Sequence, residues 1–349
     1  MREVSVSGSE LRKFVFDILC ASGVDTTESK IISKVLVWTE MIGRTTHGVI
    51  RLPIYLKRFK LGLIKSPCRP KFIRKSGTIQ ILKGNDGFGQ FLSHCAMSRA
   101  MEIADKHGVG LVGVNESNHF GAGAYYIQMA AEKNKISLLT TNSFPLVAPH
   151  RGISPVFGTN PIAFGAPMRN GQSILIDFST GALAGATIRK AIAEHGEIPK
   201  GMVVDKNGND IVDPERASKG VILPFSGARG YCLGLFVEIL SGVITGAAIS
   251  HEIGSIYRDL KKSNRVGHLF CVLNIANIMP IETYFDRMEK LLGFIKASKK
   301  FNETEEILMP GENRWRIYHQ QLTGGVRLSA ECFEALNLLA DELKISKPW

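Results

Sequence analysis

The chain has 349 residues, of which 44% are hydrophobic and 21% charged. This is the balance of a globular protein large enough for two domains, and it excludes a disordered or low-complexity chain. The formal net charge of +11 favours anionic ligands, but the basic residues are dispersed and form no block interleaved with aromatics, so nucleic acid is not expected as a partner.

Six cysteines, at 20, 68, 95, 232, 271 and 332, have neither metal-ligand spacing nor the density of a disulfide framework. Free thiols in a reducing, cytoplasmic setting and no bound metal are the expectation. Residues 1–6 lack the apolar core of an export signal.

Leu11, Phe14, Val15, Ile18 and Leu19 recur at helical spacing, and Gly23 ends that helix. Thr26 or Thr27 caps a second helix through Ile31, Val35, Trp38 and Ile42. A third runs from about 48 to 61, with Pro53 near its first turn and Gly62 past its end. Phe72, Ile73, Ile79, Ile81 and Leu82, broken by Ser76-Gly77, read as a hairpin. A helix through Ala96, Ala100, Ile103 and Ala104 follows.

Gly108-Val109-Gly110-Leu111-Val112-Gly113 spells G-x-G-x-x-G. As a dinucleotide fingerprint it must follow a strand and open a helix. Here a helix precedes it, and its Val/Leu content continues as a strand to Val114, so a standard Rossmann half is rejected. A polar loop at 115–120, a helix at 122–134 and a strand at 136–141 complete this unit. Residues 143–167 are dense in Pro, Gly and Asn, as in loops that line a site. A strand at 173–178 carries Asp177, Asn207-Gly208 marks a hairpin turn within 203–212, and 269–274 is another strand. The stretch 230–249 is almost wholly apolar, with Glu238 its single charge. Its length permits a membrane span, but the central carboxylate and the small residues favour a buried core helix, so no membrane partner is expected. Phe285, Met288, Leu291, Leu292 and Ile295 mark a late amphipathic helix, and 330–343 the last.

The chemistry concentrates in Thr46-His47-Gly48-Val49-Ile50-Arg51. If helical, this stretch sets an imidazole and a guanidinium on one face. Such a pair moves a proton near neutral pH beside a cation that grips a carboxylate with two hydrogen bonds. The plain alternative is a surface His and a solvated Arg. Ser117-Asn118-His119-Phe120-Gly121 offers a second loop histidine. Gly158-Thr159-Asn160-Pro161 is either a turn or a cradle for a ribose or amide. Asp177, before Ser179-Thr180, is either a helix cap or the carboxylate that orients a histidine. Ser226-Gly227-Ala228-Arg229-Gly230 opens the apolar helix and reads as an anion site or an ordinary loop.

Taken in order, these clusters resemble the malate/L-lactate dehydrogenase family of the second type, which includes ureidoglycolate dehydrogenase, 2,3-diketo-L-gulonate reductase and sulfolactate dehydrogenase. The resemblance extends through Leu52-Pro53-x-Tyr55, Thr141-Asn142-Ser143, Ile198-Pro199-x-Gly201, Asp205-x-x-Gly208, Asp213-Pro214, Gly230-Tyr231 and Pro310-Gly311-Glu312. It covers nearly the whole chain.

The resemblance implies an NAD- or NADP-dependent oxidoreductase, usually a homodimer without metal, that moves hydride to or from a small 2-oxo/2-hydroxy acid. It implies a non-Rossmann α/β (α+β) dinucleotide-binding fold with a mixed sheet and a helical domain. The expected division is a mainly helical domain from 1–68 with 302–349, and an α/β domain from 69–301. By position, His47 would be the acid/base, Arg51 the carboxylate clamp, Asp177 the partner of His47 and His119 a second proton-donor candidate. Ser143, Thr159, Asn160, Asp177, Phe178, Ser179, Gly227, Arg229, Gly230, Gly311 and Glu312 would face the cofactor. This chain departs from the family pattern at Gly181, Ala186-Thr187, Ser226, Arg229 and Cys232. The rival expectation is therefore a catalytically degenerate member that binds or supports but does not turn over.

Overall fold

The computed structural model describes residues 4–184, 187, 188, 191, 192 and 195–349; Ala186 of the Ala186-Thr187 departure lies outside them. Strand β1 (Val4–Val6) leads into helix α1 (Gly8–Ala21), which starts at a reciprocal cap between Ser7 and Glu10. Leu11, Ile18 and Leu19 are fully buried, each contributing roughly 1.5–3 kcal/mol. Asp25, rather than a threonine, caps α2 (Thr26–Met41), accepting from the amides of Thr27 and Glu28. The segment after α2 is not a continuous helix. It forms two 3-10 turns, Thr45–His47 and Val49–Arg51, divided at Gly48, before α3 (Leu52–Lys60). The break has a steric cause: a Cβ on Gly48 would lie 2.0 Å from Glu40 Oε2, so the backbone passes directly over the buried carboxyl.

A seven-stranded mixed sheet forms the centre, in the order β2-β3-β4-β10-β5-β6-β7. Its strands are β2 (Lys71–Ser76), β3 (Ile79–Lys83), β4 (Val109–Ser117), β5 (Lys135–Thr141), β6 (Ile162–Pro167), β7 (Ser173–Phe178) and β10 (Val266–Asn274). Only β3 and β4 pair in parallel. Of the glycine-rich 108–113 stretch, Gly108 caps the end of α4 (Gly89–His107) and 109–113 lie in β4, so it opens no helix. Helix α5 (Gly123–Ala131) follows β4, and α4 and α5 pack with α2 on the sheet through Leu92, Met97, Tyr126, Ile127 and Phe270. Residues 162–167 join the sheet as β6 instead of staying in the loop expected there. Their Ile, Ala, Phe and Ala side chains outweigh the flanking prolines as strand determinants.

A second core joins the chain ends. Leu11, Ile18, Leu36, Leu52 and Tyr55 pack with Val326, Leu328, Cys332 and Leu336. These come from β11 (Val326–Leu328), which pairs with β1, and the last helix, Ala330–Leu343.

Two other expectations change. The Asn207-Gly208 turn closes on itself at Val204 and Asp210, but β8 (Val203–Val204) pairs with β9 (Val221–Ile222). The 230–249 stretch is not one buried helix. Helix α6 (Ala228–Glu238) passes into a π-helical turn at Ile239–Val243. Gly230, Gly234, Glu238, Ser241 and Gly242 face inward, while Phe236, Ile239, Val243 and Ile244 are 43%, 42%, 56% and 50% exposed. The small and polar face turns inward because Glu238 takes hydrogen bonds from Asn142, Asn160 and the Ser250 amide. Helices α7 (Ile281–Lys296) and α8 (Glu312–Gly324) complete the chain, with α9 as the last helix at 330–343.

The register places the ends of β4, β5 and β7 and the starts of β6 and β10 at one sheet edge: Ser117 faces Val266, His268 faces Thr141, Thr140 faces Ile162, and Ile162 faces Phe178. The loops that leave this edge build the site.

Candidate active site

Glu40 organises the first wall. It is 1% exposed, and its Oε2 accepts the Val49 amide at 3.0 Å. Burial pushes its carboxyl up to about 8, more than the Val49 hydrogen bond lowers it. The turns held in this way carry His47 and Arg51. Thr46 Oγ1 lies 2.9 Å from His47 Nδ1, and Arg51 Nε donates to Thr46 O at 2.6 Å. The Arg51 guanidinium stands over the Tyr257 ring at 5.3 Å.

His119 brings the second imidazole. Its ring stacks against that of His47, with centroids 5.7 Å apart and planes at 26°. The Tyr55 hydroxyl lies 2.6 Å from His119 Nδ1. Burial, and then the Arg51 charge, push His119 down to about 3. Behind it His268 is fully buried between Thr141 Oγ1 and Ser117 Oγ, each at 2.7 Å, and burial holds it down at about 3 as well.

Asp177, at the end of β7, is engaged from two sides. Its Oδ2 accepts the Ala124 amide at 3.1 Å, at the start of α5, and lies 3.4 Å from Arg44 Nη2. Arg44 Nη2 also donates to the Asp177 carbonyl. A carboxylate at a helix N-terminus is favoured by the helix dipole.

Part of this set meets at one cavity, which Arg51, Glu40 and His268 do not line. His47, His119, Asp177, Ser143, Thr159, Phe178 and Ser179 line it, with Arg44, Phe144, Ile256 and Asn264. The other expected residues lie off it. The Asn160 side chain is buried and spent on Glu238, Gly234 O and the Ser143 amide. Glu312 pairs with Lys296 at 2.6 Å and Arg316 at 2.7 Å and caps the Met309 amide. Gly311, with φ +91, packs on the backbone of Leu175. Gly227, Arg229 and Gly230 stand at the start of α6, Arg229 exposed. Arg44, Tyr55 as a partner of His119, and His268 escape sequence reasoning. Arg44 and Asp177 are 133 residues apart, and only that pairing, invisible along the chain, singles out Arg44.

Among the described residues no cluster of His, Cys, Asp and Glu is arranged to hold a metal ion, and no helix is long and apolar enough to cross a membrane. All six cysteines are free thiols. Paired imidazoles, a guanidinium and a carboxylate beside an apolar cleft make this the site of an enzyme that works on a small polar substrate. The sequence model of the malate/L-lactate dehydrogenase family matches residues 6–337, and the chain belongs to that family. It is 34% identical to the malate/(S)-sulfolactate dehydrogenase of Methanothermus fervidus, over 99% of both chains. The sulfolactate dehydrogenase structure from Methanocaldococcus jannaschii superposes with a TM-score of 0.91 at 32% identity, covering 98% of each chain. The malate dehydrogenase of Entamoeba histolytica gives 0.94 at 26% identity, covering 100% of each.

Proposed function

We propose that the protein is an NAD- or NADP-dependent dehydrogenase of a small 2-hydroxy acid, acting reversibly on the 2-oxo acid. The observation that carries this reading is the stacked His47–His119 pair, 5.7 Å apart at one cavity, with Arg51 one turn beyond His47. Similarity to dehydrogenases of malate, sulfolactate and, at 27% identity, ureidoglycolate supports the substrate class.

The cavity suits a flat heteroaromatic ring. Phe144, Leu139, Ala163 and Val266 give apolar walls, and Ser143, Thr159 and Ser179 give hydroxyls at the rim. Asn264 Oδ1 is a buried acceptor in that wall without a hydrogen-bond partner, matched to an amide or hydroxyl donor. Ser143, Thr159, Asp177, Phe178 and Ser179 would hold a nicotinamide dinucleotide along this wall, with its remainder toward Gly227, Arg229 and Gly230. When bound, it would supply a hydride to the substrate's C2 carbonyl carbon. His47 gives the matching proton to the carbonyl oxygen, leaving a 2-hydroxy acid and a neutral imidazole. Arg51 holds the carboxylate with two parallel hydrogen bonds. Asp177, ion-paired with Arg44 at the same cavity, is the carboxylate that would stand as the partner of the His47 imidazolium.

The exposed apolar face of Phe236, Ile239, Val243 and Ile244 supports a homodimer, and the free thiols support a cytoplasmic location. The decisive experiment is oxidation of NADH and of NADPH with a panel of 2-oxo acids, paired with a fluorescence titration of each nucleotide. Failure to bind either nucleotide at millimolar concentration would promote the degenerate-member alternative.

A further inference from the structure

We propose that Tyr55 locks His119 as the neutral Nε2–H tautomer, making it a standing hydrogen-bond donor to the reacting oxygen while the proton itself moves through His47. The assignment of His119 to the reacting oxygen rests on the dehydrogenase reading; the tautomer does not. Arg51 caps the start of α3, and Tyr55 follows one turn later, so one helix end sets both the carboxylate clamp and this tyrosine. Tyr55 is 1% exposed, and its hydroxyl lies 2.6 Å from His119 Nδ1. The Gly121 amide reaches the same Nδ1 at 3.4 Å.

That second contact decides the direction of the first. A backbone N–H only donates, so Nδ1 presents its lone pair. The Tyr55 phenol must then donate as well. It keeps its proton, because burial raises it far above the usual range, outweighing the Arg51 charge. The ring proton of His119 therefore sits on Nε2, at the opposite edge of a ring that lines the cavity. Protonating Nδ1 would set two N–H groups against each other at the Gly121 contact, force the phenol to turn from donor to acceptor, and place a second cation near Arg51. Buried His268 also lies close enough to couple to His119. The Phe120 ring, 4.8 Å from His268 and 6.5 Å from His119, backs the loop. A neutral N–H aimed where negative charge develops lowers a barrier without itself being consumed. Tyr55 is a positioning residue in this arrangement, since it touches His119 and does not line the cavity.

The test reads the tautomer without any substrate. In protein labelled with 15N-histidine, long-range 1H–15N correlation spectra distinguish the two tautomers and the imidazolium, and His119→Gln assigns the signal. The expected wild-type result is a pure Nε2–H pattern unchanged from about pH 5.5 to 8.5, the window in which an ordinary histidine titrates. Tyr55→Phe should give mixed tautomers or a titration within that window. A wild-type His119 that carries its proton on Nδ1, or titrates there, overturns the proposal; so does an unchanged spectrum in Tyr55→Phe. On a substrate that is turned over, Tyr55→Phe should lower kcat about 10-fold with KM within about 2-fold, less than outright loss of such a donor. Equal kcat in the variant would remove the catalytic part. If no 2-oxo acid is reduced, the dehydrogenase reading fails while the spectra still decide the tautomer.

Discussion

Glu40 Oε2 accepts the Val49 amide at 3.0 Å, tying α2 to the turn that presents Arg51. The tie has a pH dependence of definite sign. Burial raises the carboxyl from 4.5 to about 8 in the folded protein. Between those values the folded state keeps a proton that the unfolded chain has released, so stability falls as pH rises through that window. Glu40→Gln keeps an acceptor for Val49 and removes the titration. The Tm difference between variant and wild type should therefore grow in the variant's favour from pH 5.5 to 8.5, by about 2–4 °C per kcal/mol. A constant difference across that range would mean that Glu40 is ionised in the fold. His119 and His268 work in the opposite sense. Both are held down at about 3, so their contribution is present above the ordinary histidine pKa and is lost as pH falls toward 3.

His47→Ala should remove most turnover, on the order of 10² to 10⁴ in kcat, and leave nucleotide affinity nearly unchanged. The ring lines the cavity, and backbone hydrogen bonds from His47 N to Arg44 O and from Gly48 N to Thr45 O hold the turn without it. Wild-type turnover in this variant would move the proton-transfer role to another group. His119→Ala, assayed in parallel, would show whether that group is His119.

Arg51→Lys should raise KM for the acid about 10-fold or more, with the nucleotide KM little changed. Lysine keeps the charge but loses the planar fork and the stacking that Tyr257 gives the guanidinium. A rise in nucleotide KM alone would assign Arg51 to the cofactor and remove the main support for a carboxylate substrate.

Much of this site is legible along the chain because its parts are local. His47, Arg51 and the turn between them span a few residues, and His119 sits in the loop that β4 and α5 demand. The strand reading of 108–113 holds because periodicity, not the glycine pattern, decides the element. Long-range relationships are not legible. The Arg44–Asp177 pair and the Ser117–His268–Thr141 bridge join residues whose separation is set by the order of strands in the sheet. The 230–249 stretch fails for another reason. Apolar composition signals burial against something, but not that the inward face would be the one with Gly, Ser and Glu238.

That inverted helix yields a further expectation. Phe236→Asp places a charge in the exposed apolar face without touching Glu238 or its hydrogen bonds. If a second copy covers this face, the variant should sediment as a monomer at micromolar concentration while wild type sediments as a dimer. The same mass for both proteins would place any self-association elsewhere.

Arg229 tests the reach of the cofactor surface. It stands exposed in the first turn of α6, after Gly227 with its φ of +62, and it does not line the cavity that holds His47. The first turn of a helix attracts a phosphate through its free amides and its dipole. The resemblance to the family pattern implies a lysine in place of Arg229. A compact ammonium tucks against a phosphate more closely than a guanidinium, which needs room for its planar fork. Arg229→Lys should therefore tighten nucleotide binding a few-fold, and Arg229→Ala should weaken it and flatten its salt dependence, since one fewer cation meets the phosphates. The measurement is nucleotide Kd for the three proteins at several salt concentrations. Identical values throughout would mean that Arg229 does not meet the cofactor, and the pyrophosphate would then have to lie closer to Ser143, Thr159 and Ser179, on the cavity rim itself.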